Sequence, residues 1–295
     1  MTVLCAGHVN WDVTLRVDHL PEPDGEVAVK ERVQRGGGSA ANVAAGLSGL
    51  DTPAALFGSV GDDEFGTKAI EELAATGVDT DSVRAVPGAE TAVKYLVVDR
   101  EGEVMVLSTP GANESFTAAH LTGGFADVDH LHLTSQLPET AAELAEHAHA
   151  ADIPVSFDPG RRLGERNYEE TLRHVDLLFL NTREAIALVD NGLEAVLPDN
   201  ASVLIKLGSE GAELRGPAGV TRHGGYAVEP LDTTGAGDAF AAGFLAEVDD
   251  AGGLDAVDGE EALATANACG AIAAIETGAR VELTRERVEM FQRTH

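Results

Sequence analysis

The sequence predicts an α/β fold: a mostly parallel central sheet with helices packed on it, plus a small separate β-sheet. Two observations carry this. Short apolar runs alternate with helical patterns over most of the chain, which argues for parallel strands joined by right-handed crossover helices. Twice that alternation breaks, and a strand, turn, strand pattern follows with no helix between.

Taken in order, "TVLCAGHV" reads as the first strand, "SAANVAAGLSGL" as a helix, "AALFGSV" as a strand and "FGTKAIEELAATG" as a helix. The series continues with strand "VDHLHLT", helix "TAAELAEHAHAA", strands "IPVSFD" and "DLLFL", helix "REAIALV" and strand "SVLIKL". From about residue 236 the pattern is mainly helical, through "AFAAGFLAEV", "GEEALATANACGAIAAIE" and "TRERVEMFQ". The two breaks fall at residues 11–35 and 91–109. Together they would form a sheet that leaves the main body and returns to it, well placed to act as a lid or a dimer contact.

A chain of 295 residues is long enough for one large α/β domain, and we expect residues 1–295 to form a single domain with the lid strands inserted. Hydrophobic residues make up 44% and aromatics only 4%, so the core should be built mainly from Ala, Val, Leu and Ile. Against 50 acidic residues stand 20 basic ones, a formal charge of -30. Such a surface repels nucleic acid and anionic lipid, and no Lys/Arg-rich run reverses it locally. It suits a protein kept soluble at high salt, where screening weakens self-repulsion. Cys5 and Cys269 sit among small apolar residues and make no disulfide framework. With no apolar run long enough to span a bilayer and no basic, apolar leader, the expectation is a soluble cytoplasmic protein.

In "DTTGAGDAF", Asp232 to Phe240, glycines at 235 and 237 open a helix. Free N–H groups at such a helix start, with the dipole behind them, form an anion site suited to a phosphoryl group in transfer. Asp238 lies in that first turn, where a carboxylate has no reason to bind phosphate. It can serve as a general base toward a hydroxyl, or simply favour the positive helix end. A second glycine run, "GGGSAANVAAGL" at 36–47, also enters a helix, with Asn42 one turn inside. There the backbone at Gly37 and Gly38 and the Asn42 amide could bind a polyhydroxylated ligand.

As an ordered pair, "GGGSAANVAAGL" and "DTTGAGDAF" resemble the two signatures of the ribokinase-like (PfkB-type) sugar and nucleoside kinases, and the resemblance extends over essentially the whole chain. It implies a three-layer α/β/α fold with a β-sheet lid, and an ATP- and Mg2+-dependent kinase acting on a primary hydroxyl. On this resemblance Asp238 is the catalytic base, and the amides of Gly235, Ala236 and Gly237 form the anion hole. "HVNWD" is similar to the family's Asn-x-Asp substrate contact, which points to Asn10 and Asp12; "GSVGDDEFG" at 58–66 matches a stretch beside the substrate helix. "PGANESF" at 110–116 places Asn113 near the substrate.

"NTREA" resembles the element in which Glu184 helps to hold magnesium through water and Asn181 lies near the phosphates, although the same residues also form a capping-box pattern. "KLGSEGA" resembles the nucleotide loop, implicating Gly208, Gly211 and Lys206, where the family often has Thr; Asn267 falls on the helix set against adenine. Members of the family also bind a monovalent cation, here K+, near Asp232 and Thr234.

For the acceptor, "GHVNWD", "LPEP" and "SFDPG" are similar to archaeal nucleoside kinases, and Gly160 stands where sugar-specific members more often have Asn. This favours a ribosyl substrate, a nucleoside or ribose-1-phosphate, over a hexose or ketodeoxygluconate. Arg161 and Arg162 follow, either a pair for a substrate phosphate or surface partners of an acidic chain. His8 and His132 could face the ligand crevice at strand ends or be core histidines; Trp11 could stack on a base or pack the lid. A homodimer through the lid is the expected assembly. A dehydrogenase would want G-x-G-x-x-G after the first strand, where "GHVNWD" stands. A sugar sensor without activity would be expected to lose the base that Asp238 supplies.

Overall fold

The computed structural model describes residues 1–295. Its first half runs β1 (Val3–Ala6), β2 (Asn10–Arg16), β3 (Glu31–Gly37), α1 (Ser39–Gly49), β4 (Ala54–Gly61), α2 (Glu64–Ala75), β5 (Val83–Val86), β6 (Ala92–Val98) and β7 (Val104–Thr109). Then come β8 (His130–Thr134), α3 (Pro138–Ala150), β9 (Val155–Asp158), α4 (Glu169–Leu172), β10 (Leu177–Asn181), α5 (Thr182–Asp190), β11 (Ser202–Lys206), β12 (Ala212–Gly216) and β13 (Gly219–His223). Three helices close the chain: α6 (Ala236–Ala251), α7 (Gly259–Ala274) and α8 (Arg285–Thr294).

The large sheet has the order β13-β12-β11-β10-β9-β8-β1-β4-β5. Its strands are parallel except for β12, which runs antiparallel to both β11 and β13 near one edge. Burial on both faces explains why the parallel strands read as continuous apolar runs. Val3 and Cys5 of β1, like Leu177 and Phe179 of β10, pack into a core shared with α1, α6 and α7. The alternate residues Leu4, Ala6, Leu178 and Leu180 pack on the other side with α3, α4 and α5. Small residues let the first layer close tightly: a methyl added at Gly243 of α6 would sit 3.0 Å from the Ala266 Cα of α7.

The small sheet has the order β3-β2-β6-β7, and Asp12 lies opposite Arg35 on one side and Lys94 on the other. Trp11 and Val13 anchor this sheet to the body. Trp11 is 6% exposed and stacks on Phe65 of α2, with ring centroids 5.9 Å apart, which decides its role in favour of packing.

The structure corrects several expectations. Residues 17–30 make a long connection between β2 and β3, not a tight turn. Strands β5, β12 and β13 add to the expected set; they are short strands at or next to the edges of the sheet whose residues are mostly half-buried or exposed, so they lack an apolar run. His132 does not face a crevice. It is 0% exposed and shares the Ser156 hydroxyl with His130, at 2.8 and 2.7 Å. Burial pushes His130 down to about 3 and His132 to about 4, so both are neutral core residues. No helix is long and apolar enough to cross a membrane.

Candidate active site

The site lies along the carboxyl ends of the parallel strands, where open α/β sheets bind ligands, and it is built from both glycine-rich stretches. Gly235 precedes α6 at φ 77°, and a methyl there would sit 2.0 Å from the Ala279 carbonyl oxygen, so only glycine fits. The Ala236 amide donates to the Thr233 carbonyl at 3.3 Å, whereas Gly235 and Gly237 make no backbone bond through their amides. This refines the expected anion hole: two amides are free for a ligand and the third is committed.

Asp238 projects from the same turn and accepts a hydrogen bond from Asn42 Nδ2 at 2.8 Å, which joins the two signatures across the core. It keeps some exposure, yet protein surrounds it closely enough that desolvation dominates. Burial pushes its carboxyl up to about 6; the Asn42 bond opposes this and the charge of Asp158 adds to it. A carboxylate poised there is mostly ionised at neutral pH yet basic enough to take a proton.

Asp158, at the end of β9, is held by Lys206 at 2.6 Å, at the end of β11. Burial alone would lower the lysine, but Asp158, with Glu184 and Asp238 behind it, raises it above its ordinary value. Lys206 and Gly237 line the same cavity of about 390 Å3, together with Gly208, Gly211, Asn267 and Phe240. Its size and mixed lining suit a nucleotide. Another hollow of about 560 Å3, around Phe125, Asp129 and Asp152, carries two carboxylates and no cation and shares no residue with the signatures. It is unsuited to an anionic ligand.

Asn181 and Glu184 form the reciprocal cap of α5, with Asn181 N–H to Glu184 Oε2 at 2.8 Å and Glu184 N–H to Asn181 Oδ1 at 3.0 Å. Glu184 is 6% exposed and in no ion pair; burial and then the neighbouring Asp158 raise its carboxyl above the usual range. No cluster of three or more His, Cys, Asp or Glu side chains forms a metal cage. A buried carboxylate in no ion pair, close to Asp158, is nevertheless a fitting donor for Mg2+, which keeps several waters and is held by one or two carboxylates plus phosphates. Asp232 accepts the Thr234 and Gly278 amides, each at 2.9 Å, so this loop is ordered by its own backbone.

On the acceptor side, Asn113 joins the ends of β1 and β2: its Nδ2 donates to Asn10 Oδ1 at 2.5 Å and its Oδ1 accepts the Val9 amide at 3.1 Å. A methyl at Gly37 would sit 2.4 Å from Asp12 Oδ2, and one at Gly38 2.3 Å from the His8 carbonyl oxygen. Close backbone approach therefore requires glycine at 38, while Gly37 leaves room for the Asp12 carboxylate. Asp12 Oδ1 and Asn42 Oδ1 are buried acceptors with no partner in the protein, the kind of atoms that sugar hydroxyls would satisfy. Arg161 is exposed and makes no ion pair; Arg162 instead turns inward to Glu114 at 2.5 Å.

Sequence reading missed three groups here: Asp158, the Glu114 cluster and Arg280. The Arg280 guanidinium, 8% exposed, bonds Glu72 at 2.9 Å, and Glu72 accepts the Gly36 amide at 3.0 Å, bracing the glycine run from behind. Each of these pairings spans a long separation in the chain, so no local pattern announces it.

Comparison with known proteins agrees with this geometry. Over 98% of its length the chain is 51% identical to the ATP-dependent ribose-1-phosphate kinase of Halopiger xanaduensis, covering 97% of that protein. It is 29% identical to the nucleoside kinase of Methanothermobacter thermautotrophicus, over 82% of this chain and 81% of the relative. The crystal structure of ribokinase from Thermotoga maritima superposes with a TM-score of 0.85 at 25% identity, covering 99% of each chain. Residues 2–285 match the pfkB family of carbohydrate kinases. The chain therefore belongs to the PfkB family and is an ATP-dependent phosphotransferase acting on an alcohol group of a sugar or nucleoside.

Proposed function

We propose that the acceptor is ribose-1-phosphate and that the γ-phosphate of ATP is transferred to its 5-hydroxyl. The observation that carries the chemistry is Asp238, desolvated and hydrogen-bonded to Asn42 beside the free amides of Gly235 and Gly237. The similarity to the Halopiger xanaduensis kinase supports the choice of acceptor.

In this reading Asp238 accepts the proton of the 5-hydroxyl as its oxygen attacks the γ-phosphorus and the bond to ADP breaks. The amides of Gly235 and Gly237, with the Lys206 ammonium nearby, stabilise the equatorial charge of the transferring group. Asn10, Asp12, Asn42 and Asn113, with the backbone at Gly37 and Gly38, bind the ribose hydroxyls. Gly208, Gly211 and Asn267 line the site for the nucleotide, and Asn181 with Glu184 borders its phosphate end. Glu184, with Asp158 beside it, would hold Mg2+ through water, and the ion when bound would neutralise β- and γ-phosphate charge. We assign K+ to the Asp232–Thr234 loop on the resemblance alone.

The setting we propose is a salt-rich cytoplasm, supported by the charge of -30 and two buried free cysteines. The assembly is a homodimer through the small sheet: its edge strand β7 exposes Val104, Met105, Val106 and Leu107 in succession, an unpaired apolar edge that a second copy would cover. Light scattering at micromolar protein should give the mass of two chains, and a single-chain mass would exclude this assembly.

An ATP-consumption assay over ribose-1-phosphate, ribose, nucleosides, fructose and ketodeoxygluconate tests the acceptor, run at both low and molar KCl. Ribose-1-phosphate should give the highest kcat/KM, with a 1,5-bisphosphate as product and activity rising with salt. A higher kcat/KM for any uncharged acceptor would reject the assignment, and salt-independent activity would reject the salt adaptation.

A further inference from the structure

The chain has few cations, so the place where it gathers them is informative. Glu114, which follows Asn113 out of the small sheet, accepts Arg162 Nη1 at 2.5 Å and Arg166 at 2.7 and 3.1 Å, and it lies 3.2 Å from His8 Nε2. Arg166 also donates to the Gln136 carbonyl at 2.8 Å, which the Tyr168 hydroxyl shares at 2.7 Å. One carboxylate thus orders two guanidinium groups and an imidazole in a framework tied to β8.

Three further features make this more than a surface ion pair. Lys94 stands in β6 directly opposite Asp12 and forms no ion pair and no hydrogen bond, although acids outnumber bases 50 to 20 in this chain. Paired with Asp12 in the register of the small sheet, it shares that residue's face, and its charge acts on both Asp12 and His8. Gln136 is 0% exposed, yet neither atom of its side-chain amide has a partner, although its carbonyl belongs to the framework. A fully buried amide left open at both ends is costly unless a water or a ligand satisfies it. The cluster also adjoins the acceptor pocket, because Asn113 beside Glu114 bonds Asn10.

We propose that Lys94 and Arg162 form a second phosphate subsite, which takes the phosphate already carried by the acceptor at the end of the sugar away from Asp238. Glu114, Arg166 and His8 position the cations. Lys94 supplies a point charge and Arg162 a directed fork, while neutral His8 donates its one N–H to Glu114. Three cations, Lys94, Arg162 and Arg166, set against Glu114 and Asp12 still leave a positive balance that suits a phosphate, where a nucleoside would bring an uncharged base. The inference rests on the reading of the acceptor as ribose-1-phosphate.

The test compares Lys94→Met, Arg162→Gln and the double variant with wild type, using ribose-1-phosphate and ribose as acceptors. Arg166 and His8 still partner Glu114 when Arg162 is removed, and Lys94 has no partner to orphan, so the variants should fold; thermal melting verifies this. Removing one charge-assisted hydrogen bond to the phosphate in each single variant should lower the ratio of kcat/KM for ribose-1-phosphate to that for ribose by about 10- to 100-fold, borne by KM. Lys94→Arg, which keeps the charge, should recover most of it. An unchanged ratio in the double variant would overturn the subsite even if wild type prefers ribose-1-phosphate. If wild type instead prefers uncharged acceptors, the acceptor reading fails separately. Inorganic phosphate as a competitor against ribose then reads the subsite alone: inhibition that disappears in the double variant supports it, and no inhibition of wild type overturns it.

Discussion

Asp238→Asn should fold normally and lose roughly 10²- to 10⁴-fold in kcat, the range of a general base. The geometry for binding survives the change, since an Asn oxygen can still accept the Asn42 amide, so KM for both substrates should move little. Folding stability should hold or rise. Burial lifts the carboxyl from 3.8 to about 6, so in the folded state the ionised form is disfavoured, at a cost of at most about 3 kcal/mol at neutral pH. The sign follows from the raised value: the folded state holds this proton more tightly than the unfolded chain, so this group's contribution is fully present below pH 3.8 and is lost as pH rises through about 6. The variant should therefore gain in melting temperature relative to wild type as pH rises from about 4 to about 7. The same group sets activity in the opposite sense, and wild-type kcat should fall on the acid side near pH 6. Turnover within a few-fold of wild type would refute the role of Asp238.

Lys206→Met is expected to strike both stability and nucleotide use. Removing the ammonium leaves Asp158, 14% exposed, without its partner and close to Glu184 and Asp238. Breaking a pair of this kind costs about 3–5 kcal/mol. Lys206 also lowers the Asp238 carboxyl, so its loss should shift the acid limb of activity to higher pH. Adding Asp158→Asn removes the orphaned charge and should restore much of the melting temperature, while KM for ATP stays raised because the cation facing Gly237 is still missing. A single variant with wild-type melting and wild-type KM for ATP would show that the pair is a surface ornament. The position also gives the departure from the family's frequent Thr a physical meaning: the loop we propose for the nucleotide carries its own cation, balanced by a carboxylate two strands away.

What could be read from the sequence was whatever local chemistry enforces. Strands such as "DLLFL" and "SVLIKL" announce themselves because apolar residues on both faces of a parallel sheet leave no polar alternation. The hairpin β12–β13 escapes such a reading because Glu213, Arg215 and Arg222 break any apolar run at this end of the sheet. Asp238 was legible in the first turn of a glycine-rich helix start because its glycines and its helix start are neighbours in sequence. Asn181 and Glu184 were legible for the same reason, as a cap within one turn.

The tertiary structure alone decided which distant groups surround these. Lys206 meets Asp158 across two strands, Arg280 braces Gly36 through Glu72 of α2, and Glu114 collects His8, Arg162 and Arg166 from two strand ends. It also chose Arg162 over Arg161 and sent His132 into the core. The physical reason is common to all of them. Helix starts and apolar periodicity are set by neighbours within a turn, whereas a buried charge takes whatever partner the packed sheet brings within hydrogen-bond range, and chain order does not encode that proximity.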